Sequence, residues 1–265
     1  MSREAARRRI WAEVGMEPSV RQAPDVVPPV SRCRTVGFSL IELLLVLAVT
    51  LLITSLLLPA LSNLRESAHR LICSSNLRQV GLAMVMFADD HNGSLAPSEY
   101  GKPDGDKQEM MAAHRGMHPD NWEGLGWLYK WRYCDAPEVF YCPSHTGKHP
   151  YELYKDLYWL YRCCETARPS IYTNYHYAGD IDWETGVRRN LAKDPSLVIA
   201  IDGLRTLSDY NHRTGVNVLS GDTSVYWRED ASTRQVAKLL AASKADGGQM
   251  PPDYKKIWKL LMKHK

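Results

Sequence analysis

The sequence predicts an α+β protein in which one long N-terminal helix packs on a small antiparallel sheet. Residues 43–61 form an unbroken apolar run, and apolar side chains then recur at helical spacing as far as residue 87. Beyond residue 93 the chain breaks into short strand-like segments joined by turn residues, which is typical of a small sheet. A chain of 265 residues is long enough to bury a core of its own.

The apolar run at 43–61 contains nineteen residues and no charge. As an α-helix it would extend about 28 Å, close to the hydrocarbon thickness of a bilayer. A buried core helix rarely needs to be apolar on every face, and a cleaved secretory signal has an apolar core of only about 7–15 residues. A retained membrane span therefore fits best, with the small residues at 60–62 leaving signal cleavage as an alternative.

Basic residues are concentrated before this run. Residues 1–37 contain seven arginines and four acids, whereas the rest of the chain is formally neutral. Arg32 and Arg34 closely precede the span, so the arm is expected to be cytoplasmic and the remainder is expected outside. Because no basic excess follows the arm, a nucleic-acid partner is not expected.

One carboxylate, Glu42, lies near the start of the apolar segment. A charge inside a bilayer is costly unless it is paired, so Glu42 either reaches the interface or meets a positive charge at the same depth. Cleavage after Gly37 would create that charge, the α-ammonium group of Phe38. Glu42 of one subunit could then neutralise the amine of a neighbour.

The stretch Gly37-Phe38-Ser39-Leu40-Ile41-Glu42, followed by the apolar run, resembles the processing site of type IV prepilins and type II secretion pseudopilins. The resemblance implies cleavage after Gly37 by a prepilin peptidase that also N-methylates Phe38. It also implies a pilin-like fold, with a helical spine in the core of a fibre and Glu42 setting the subunit register. Pro59 fits the proline that such spines often carry at the far end of the span, where it kinks the helix.

These patterns divide the chain into five parts. The leader would begin at Met1 or Met16, and it is expected to be a cytoplasmic peptide that is cleaved off. The parts are the leader at 1–37, the membrane and fibre-core helix at 38–61, the amphipathic half of the spine at 62–90, an exported α+β head at 91–228 and a basic helical tail at 229–265. In the amphipathic half, one buried stripe is expected at Leu61, Leu64, Ala68, Leu71, Ile72, Val80, Met84 and Phe87.

Segments 73–97, 138–144 and 211–227 resemble a subgroup of pilin-like proteins best known from Planctomycetes, Verrucomicrobia and Lentisphaerae. The C-terminal signature of that subgroup is a histidine, nine residues and then Asp-Gly. His212 and Asp222 match it, but residue 223 is threonine. Gly221 is therefore expected to take the positive-φ position of the turn, and His212 is expected to order this hairpin through a hydrogen bond.

Short patterned segments define the head. Helical spacing predicts a helix at 151–165, a short helix or turn at 121–133 and two basic amphipathic helices after residue 232. Strands are expected at 138–142, 171–179 and 196–202, with a hairpin at 215–227.

The sequence contains no catalytic set, since it lacks a phosphate-binding loop, a nucleophile elbow and a metalloprotease helix. An enzyme is therefore not expected. Exported thiols usually form disulfides, so a Cys134–Cys142 bond, or either of these paired with Cys73, is expected. Zinc held by Cys134, Cys142, His145 and His149 is the alternative, although this spacing is uncommon.

No cofactor is expected, and calcium is the alternative. The pattern Asp180-x-Asp182-x-Glu184 is similar to the start of a calcium loop, but its glycine is misplaced and the closing acid is missing. Asp202 and Asp222 are further candidate calcium ligands, because some secretion pseudopilins hold calcium near the C-terminus.

Two functions follow from these expectations. The first is a structural pseudopilin of a type II secretion or type IV pilus-like fibre, crossing the inner membrane once with its head in the periplasm or outside the cell. Its partners would be the prepilin peptidase and N-methyltransferase, sister pilins and an inner-membrane assembly platform. The second is a membrane-tethered binding module that uses pilin processing only for export, with a ligand site among Trp122, Trp127, Trp131 and Trp159.

Overall fold

The computed structural model confirms the α+β class, with one long helix and two small antiparallel sheets. It describes residues 37–99, 111–116, 118, 120–164, 169–182, 185–230, 234–242 and 254–262. The chain divides into two units, 1–52 and 53–265, and both sheets belong to the second. The arm before residue 37, with Cys33, Arg32 and Arg34, lies outside the described residues, so its predicted cytoplasmic position stays a prediction.

Helix α1, Leu40–Asp90, is the spine that the apolar pattern predicts from about residue 39 to residue 89. A capping box opens it: Ser39 N donates to Glu42 Oε2 at 2.8 Å, and Glu42 N donates to Ser39 Oγ at 3.3 Å. At the other end Gly93, at φ 79°, donates its N–H to the Ala88 carbonyl and stops the helix. Pro59 lies inside the bounds of α1 and does not end it.

The buried face of α1 is only partly the one expected. Cys73, Leu77, Val80, Met84 and Phe87 recur every three or four residues and are buried. Five positions of the predicted stripe are instead exposed, namely Leu61, Leu64, Ala68, Leu71 and Ile72. The prediction was wrong there because the helix turns polar side chains toward the head in this stretch.

The larger sheet is antiparallel in the order β3-β4-β5-β6. Its strands are β3, Tyr175–Tyr177, β4, Val198–Asp202, β5, Gly215–Ser220, and β6, Val225–Glu229. A smaller sheet pairs β1, Ala112–His114, with β2, Ile171–Tyr172. The strand expected at 196–202 and the hairpin at 215–227 are therefore present. The single strand expected at 171–179 is instead divided into β2 and β3, which belong to different sheets.

Short helices complete the head and the C-terminal tail. They are α2, Gly126–Lys130, α3, Tyr151–Cys163, α4, Gln235–Ala242, and α5, Tyr254–Met262. The strand expected at 138–142 was wrong, because Pro137–Phe140 forms a 3-10 helix. Pro137 occupies its first position, where a fixed φ and a missing N–H suit a helical turn.

The larger sheet is covered on both faces. Leu219 of β5 packs in a core shared with the spine, α2 and α3. Val216 and Val218 of β5 pack in a second core with side chains of α4 and α5. This alternation follows from the period of two along a strand. Gly81 lets the spine approach closely, because a Cβ there would lie 2.8 Å from Leu219 Cδ1.

The turn between β5 and β6 differs from the expectation. Thr223, and not Gly221, has the positive φ, at 66°. Gly221 is needed for a different reason, since a Cβ at that position would lie 2.8 Å from the carbonyl oxygen of Pro195. Asp222 supports the turn by accepting hydrogen bonds from Ser224 N and Oγ at 3.0 and 2.6 Å.

Candidate functional site

Two cysteines, an aspartate and a histidine converge in the interior of the 53–265 unit. Cys73 comes from the spine, Cys142 from the loop after the 3-10 helix, Asp202 from the end of β4 and His212 from the loop before β5. One possible ligand atom from each of the four lies within 4.8 Å of the other three. All four residues are buried, so the cluster is closed off from bulk water.

The Nε2 atom of His212 points into this cluster. It lies 3.6 Å from Cys142 Sγ and 3.5 Å from Asp202 Oδ2. On the other side of the cluster the hydroxyl of Tyr175 donates to Cys73 Sγ at 3.5 Å. Both thiols are therefore oriented by neighbouring polar groups.

The second ring nitrogen of His212 faces the spine. Its Nδ1–H donates to Glu66 Oε1 at 2.6 Å, and Glu66 Oε2 accepts from Ser144 Oγ at 2.8 Å. The carboxylate can only accept, so it fixes which ring nitrogen carries the proton in the neutral imidazole. In that tautomer, which the ring adopts when it loses its second proton, Nε2 presents its lone pair to the cluster.

Backbone contacts hold the other two loops in place. Asn217 N donates to Asp202 Oδ2 at 2.6 Å, and Cys142 N donates to Asn174 Oδ1 at 3.3 Å. Asp202 Oδ1 is buried and has no hydrogen-bond partner within the part of the chain that the structure describes. A buried carboxylate oxygen in this state is costly unless something else binds it.

The electrostatics of the cluster are strongly perturbed. Burial raises the pKa of the Asp202 carboxyl and of the Cys73 thiol. Burial opposes protonation of His212, but Cys142, Asp202 and Glu66 outweigh it and raise the His212 pKa to about 9. Burial likewise opposes ionisation of Glu66, and the hydrogen bonds from His212 and Ser144 prevail and lower its pKa.

A cavity of about 710 Å³ lies beside the cluster, on the Glu66 side of His212. It is open to solvent, and its lining is rich in polar and ionisable groups, which include Arg65, Glu66, His69, His145, His212 and Arg213. His212 is therefore the residue that both the buried cluster and the open cavity share.

The structure brings together one of the cysteine pairs that the sequence left open. Cys73 and Cys142 lie together in the cluster, whereas Cys134 Sγ contacts the carbonyl oxygen of Ala136 at 3.6 Å. All three are free thiols. The histidines of the alternative zinc set lie elsewhere: His145 bonds Asn211 through Nδ1 at 2.8 Å, and His149 bonds Tyr154.

The candidate calcium ligands are also dispersed. Asp180 Oδ1 accepts from Ser98 N at 3.1 Å, and Asp182 Oδ1 accepts from Thr185 N at 2.8 Å. Asp202 belongs to the cysteine and histidine cluster, and Asp222 supports the β5–β6 turn. Glu184 lies outside the described residues.

The four tryptophans of the alternative binding site have different surroundings. Trp122 is buried against His114 and Tyr161, while Trp131 and Trp159 are 43% and 59% exposed. Trp127 packs on Trp131 with ring centroids 4.6 Å apart. In the described part of the head, these side chains are thus divided between the core and the surface.

The sequence did not reveal that Glu66 and Asp202 lie beside Cys73 and His212. Two features of the sequence could have indicated part of this grouping. Glu66 and Cys73 are seven residues apart, which puts them two turns apart on one helical face. His212 also occupied a signature position, but the expectation that it orders the hairpin missed its actual partner, Glu66 on the spine.

The comparisons with known proteins give one match. Residues 62–137 match the profile of a family described as a protein of unknown function, DUF1559. That segment is less than a third of the chain. It contains Glu66 and Cys73 but ends before Cys142, Asp202 and His212. No curated protein and no solved structure matched significantly.

Proposed function

We propose that this chain is a pilin-like structural subunit that is anchored in the inner membrane by α1 and assembles with sister subunits along that helix. The match at 62–137 supports the proposal, because DUF1559 is typical of pilin-like proteins of planctomycetes and Verrucomicrobia. The long N-terminal helix on a small antiparallel sheet supports it as well. Neither observation alone carries it.

The observation that carries the proposal is an apolar stripe on the outer face of α1. Its exposed members are Leu61, Leu64, Leu71, Ile72, Leu82 and Met86. At about 100° per residue these positions fall within a sector of about 100°, and the buried residues from Cys73 to Phe87 occupy the opposite side. Leu71, for example, is 73% exposed while Leu77 is fully buried.

A stripe of this kind is what a helix needs in order to pack against another helix. Apolar surface that remains in water costs about 25 cal/mol per Å², so six large exposed side chains on one face favour association. Ser75 and Gln79 fall on the same face between Ile72 and Leu82, and they divide the stripe into two patches. We call this outer face the assembly stripe.

The first part of α1 suits a membrane. Among the described residues, α1 is the one helix that is long and apolar enough to span a bilayer. Its residues between 43 and 58 are exposed around the whole circumference. We infer that the helix crosses the inner membrane once, with the arm in the cytoplasm and the head outside.

The cleavage junction is accessible. Phe38 is 81% exposed, and no other part of the described chain lies within 4 Å of a Cβ placed on Gly37. This open junction supports processing by a prepilin peptidase between the two residues, with N-methylation of Phe38. Secretion or pilus assembly would then require sister pilins and an inner-membrane platform.

Glu42 has a local role that the sequence did not reveal. It forms the capping box with Ser39, so removing it would weaken the start of α1 as well as any pairing with the amine of Phe38 on a neighbour. The two roles are separable, because Ser39→Ala removes the Ser39 Oγ half of the capping box and leaves the carboxylate in place.

The test is cross-linking between subunits in membranes. Leu64→Cys and Leu71→Cys, both on the assembly stripe, should form dimers on mild oxidation, whereas Asn63→Cys, exposed on a different face, should not. Adding Glu42→Val should abolish the dimers without affecting cleavage or insertion, since an unpaired buried charge costs about 3–5 kcal/mol, a loss of at least about a hundredfold.

Ser39→Ala in the Leu64→Cys background is the matched control and should retain most of the dimer. Equal yields from Leu64→Cys and Asn63→Cys would show that the stripe makes no specific contact and would contradict the proposal. An undiminished yield of cross-linked dimer in the Glu42→Val variant would show that Glu42 does not set the subunit register.

A further inference from the structure

We propose that Cys73, Cys142, Asp202 and His212 bind one zinc ion, with Glu66 orienting His212 from behind. The site is independent of the proposed assembly role. It would join the spine to the end of β4, the loop before β5 and the Cys142 loop.

Two of the distances between donor atoms match the edges of a tetrahedral zinc site. Zinc bonds sulfur at about 2.3 Å and nitrogen or oxygen at about 2.0–2.2 Å, so the edges of its tetrahedron measure about 3.3–3.8 Å. The distances from His212 Nε2 to Cys142 Sγ and to Asp202 Oδ2, 3.6 and 3.5 Å, are edges of this length. Cys73 completes the set within 4.8 Å.

The surroundings of the ligands also fit a metal. A zinc-bound histidine usually donates its other ring N–H to a carboxylate, which fixes the ring and strengthens its lone pair. Glu66 supplies that carboxylate at 2.6 Å from Nδ1, and Ser144 holds the second oxygen of Glu66. Asp202 is anchored by Asn217 N and retains the buried oxygen Oδ1, without a partner among the described residues.

The donor types select the ion. Two thiolates with an imidazole and a carboxylate suit zinc, whereas calcium and magnesium require oxygen ligands. Zinc with two thiolates and one carboxylate carries a net charge of −1, the same as a structural site with three cysteines and one histidine. With four protein ligands and full burial no position is left for a substrate, so the site is structural.

A disulfide between Cys73 and Cys142 is the competing chemistry, because an exported head meets oxidising conditions. It would use the two sulfurs and leave His212 Nε2 and Asp202 Oδ2 directed at the same point without an ion. Zinc uses all four groups at once. Thiolates bound to zinc are also protected from oxidation, so the ion would preserve the reduced pair.

The test is metal content of the mature, detergent-solubilised protein, purified without chelator and with thiols blocked at lysis. We expect about one zinc per chain. Cys73→Ser and Cys142→Ser should each lower it at least tenfold. Cys134→Ser is the matched control, since its sulfur lies outside the cluster, and it should retain the zinc.

Cobalt substitution distinguishes the loss of a metal ligand from the loss of zinc through misfolding of a variant. Co²⁺ in the unaltered protein should show tetrahedral visible bands and sulfur-to-cobalt charge transfer. His212→Cys should still bind Co²⁺, with a stronger charge-transfer band, while Glu66→Gln should keep the bands and bind Co²⁺ about 10–100-fold more weakly.

Three results would overturn the site. They are a Cys73–Cys142 disulfide peptide in the freshly blocked protein, two free thiols without zinc, and zinc that persists in both Cys73→Ser and Cys142→Ser. None of these would affect cross-linking along the assembly stripe, so the two proposals fail separately.

Discussion

Glu66 and His212 are 146 residues apart in the chain, yet Glu66 Oε1 lies 2.6 Å from His212 Nδ1. Around this contact Arg70 Nη2 donates to Thr214 Oγ1 at 2.7 Å, and the Arg70 guanidinium lies over the Trp227 ring. These contacts join the polar face of the spine to the larger sheet. The assembly stripe lies on the opposite side of the spine, away from the sheet.

Glu66→Gln should destabilise the head. The variant preserves the shape of the side chain but loses the charge that accepts from His212, and a hydrogen bond to a charged group contributes about 1.5–3 kcal/mol. Urea unfolding of the mature protein in detergent and excess chelator would measure the change without a metal contribution. Glu152→Gln, which removes an exposed carboxylate paired with Lys155, should change stability by less than about 1 kcal/mol.

The free energy of unfolding should fall as the pH is lowered from about 6.5 to about 4, the range in which His149 affects stability. Burial and the nearby Arg205 lower the His149 pKa to about 4, although Asp209 opposes them. The unfolded chain takes up this proton near pH 6.5, whereas the folded chain takes it up only near pH 4. The contribution of neutral His149 to stability is therefore fully present above about pH 6.5 and is lost as the pH falls toward 4. His149→Gln should flatten this slope in unfolding experiments.

The unfolding free energy of His149→Gln should still depend on pH, because burial also lowers the pKa of His176 well below its usual value. His118→Gln provides the control, as this histidine is exposed and should leave the slope unchanged. An unaltered slope in His149→Gln would show that His149 does not contribute.

Thr223→Gly should stabilise the β5–β6 hairpin. Thr223 has φ 66°, where a side chain bearing a Cβ costs about 1–2 kcal/mol and a β-branched one is especially unfavourable. Glycine relieves this strain but loses backbone entropy, so the net gain should be about 0.5–1 kcal/mol in thermal unfolding. Thr223→Ala should give a smaller gain, and destabilisation by glycine would contradict this account.

Leu77→Ala and Leu82→Ala should separate the two faces of the spine. Leu77 is fully buried, so its truncation should cost about 2–5 kcal/mol in unfolding experiments. Leu82 lies on the assembly stripe and is 53% exposed, so its truncation should leave folding within about 0.5 kcal/mol and weaken assembly instead. Similar folding losses in both variants would contradict the assignment of the faces.

Gly37→Ile should block maturation. The bulky side chain would occupy the junction that glycine leaves open, so mass spectrometry should find the leader retained in membranes. In the unaltered protein the N-terminus should be Phe38 with one added methyl group. An N-terminus at Asn63 would instead indicate cleavage at the 60–62 site by a signal peptidase.

The sequence by itself determined the features that depend on neighbouring residues. The apolar run, the spacing of Val80, Met84 and Phe87 and the stop at Gly93 locate α1 within one residue at each end. The strands of the hairpin at 215–227 follow from local patterning in the same way, although the residue with the positive φ in the turn is Thr223. Helical and hairpin patterns are set by contacts a few residues apart, and a single sequence contains that information.

Only the tertiary structure decided which side of the spine between residues 61 and 72 faces the head. An apolar position indicates burial somewhere, but Leu64 and Leu71 are exposed in the single chain while the side chains of Glu66 and Arg70 contact the head. The 3-10 helix at Pro137–Phe140 is similar, because a five-residue apolar segment becomes a strand only when another strand lies beside it.

The convergence of Cys73, Cys142, Asp202 and His212 also required the fold. These residues come from four separate elements, and the spacing between them follows no local metal-binding pattern. The sequence left open a Cys134–Cys142 pair or a pairing of either residue with Cys73, and the fold brings Cys142 to Cys73 on the spine. Contacts between distant segments depend on how helix and sheet pack, which residue spacing along one chain does not reveal.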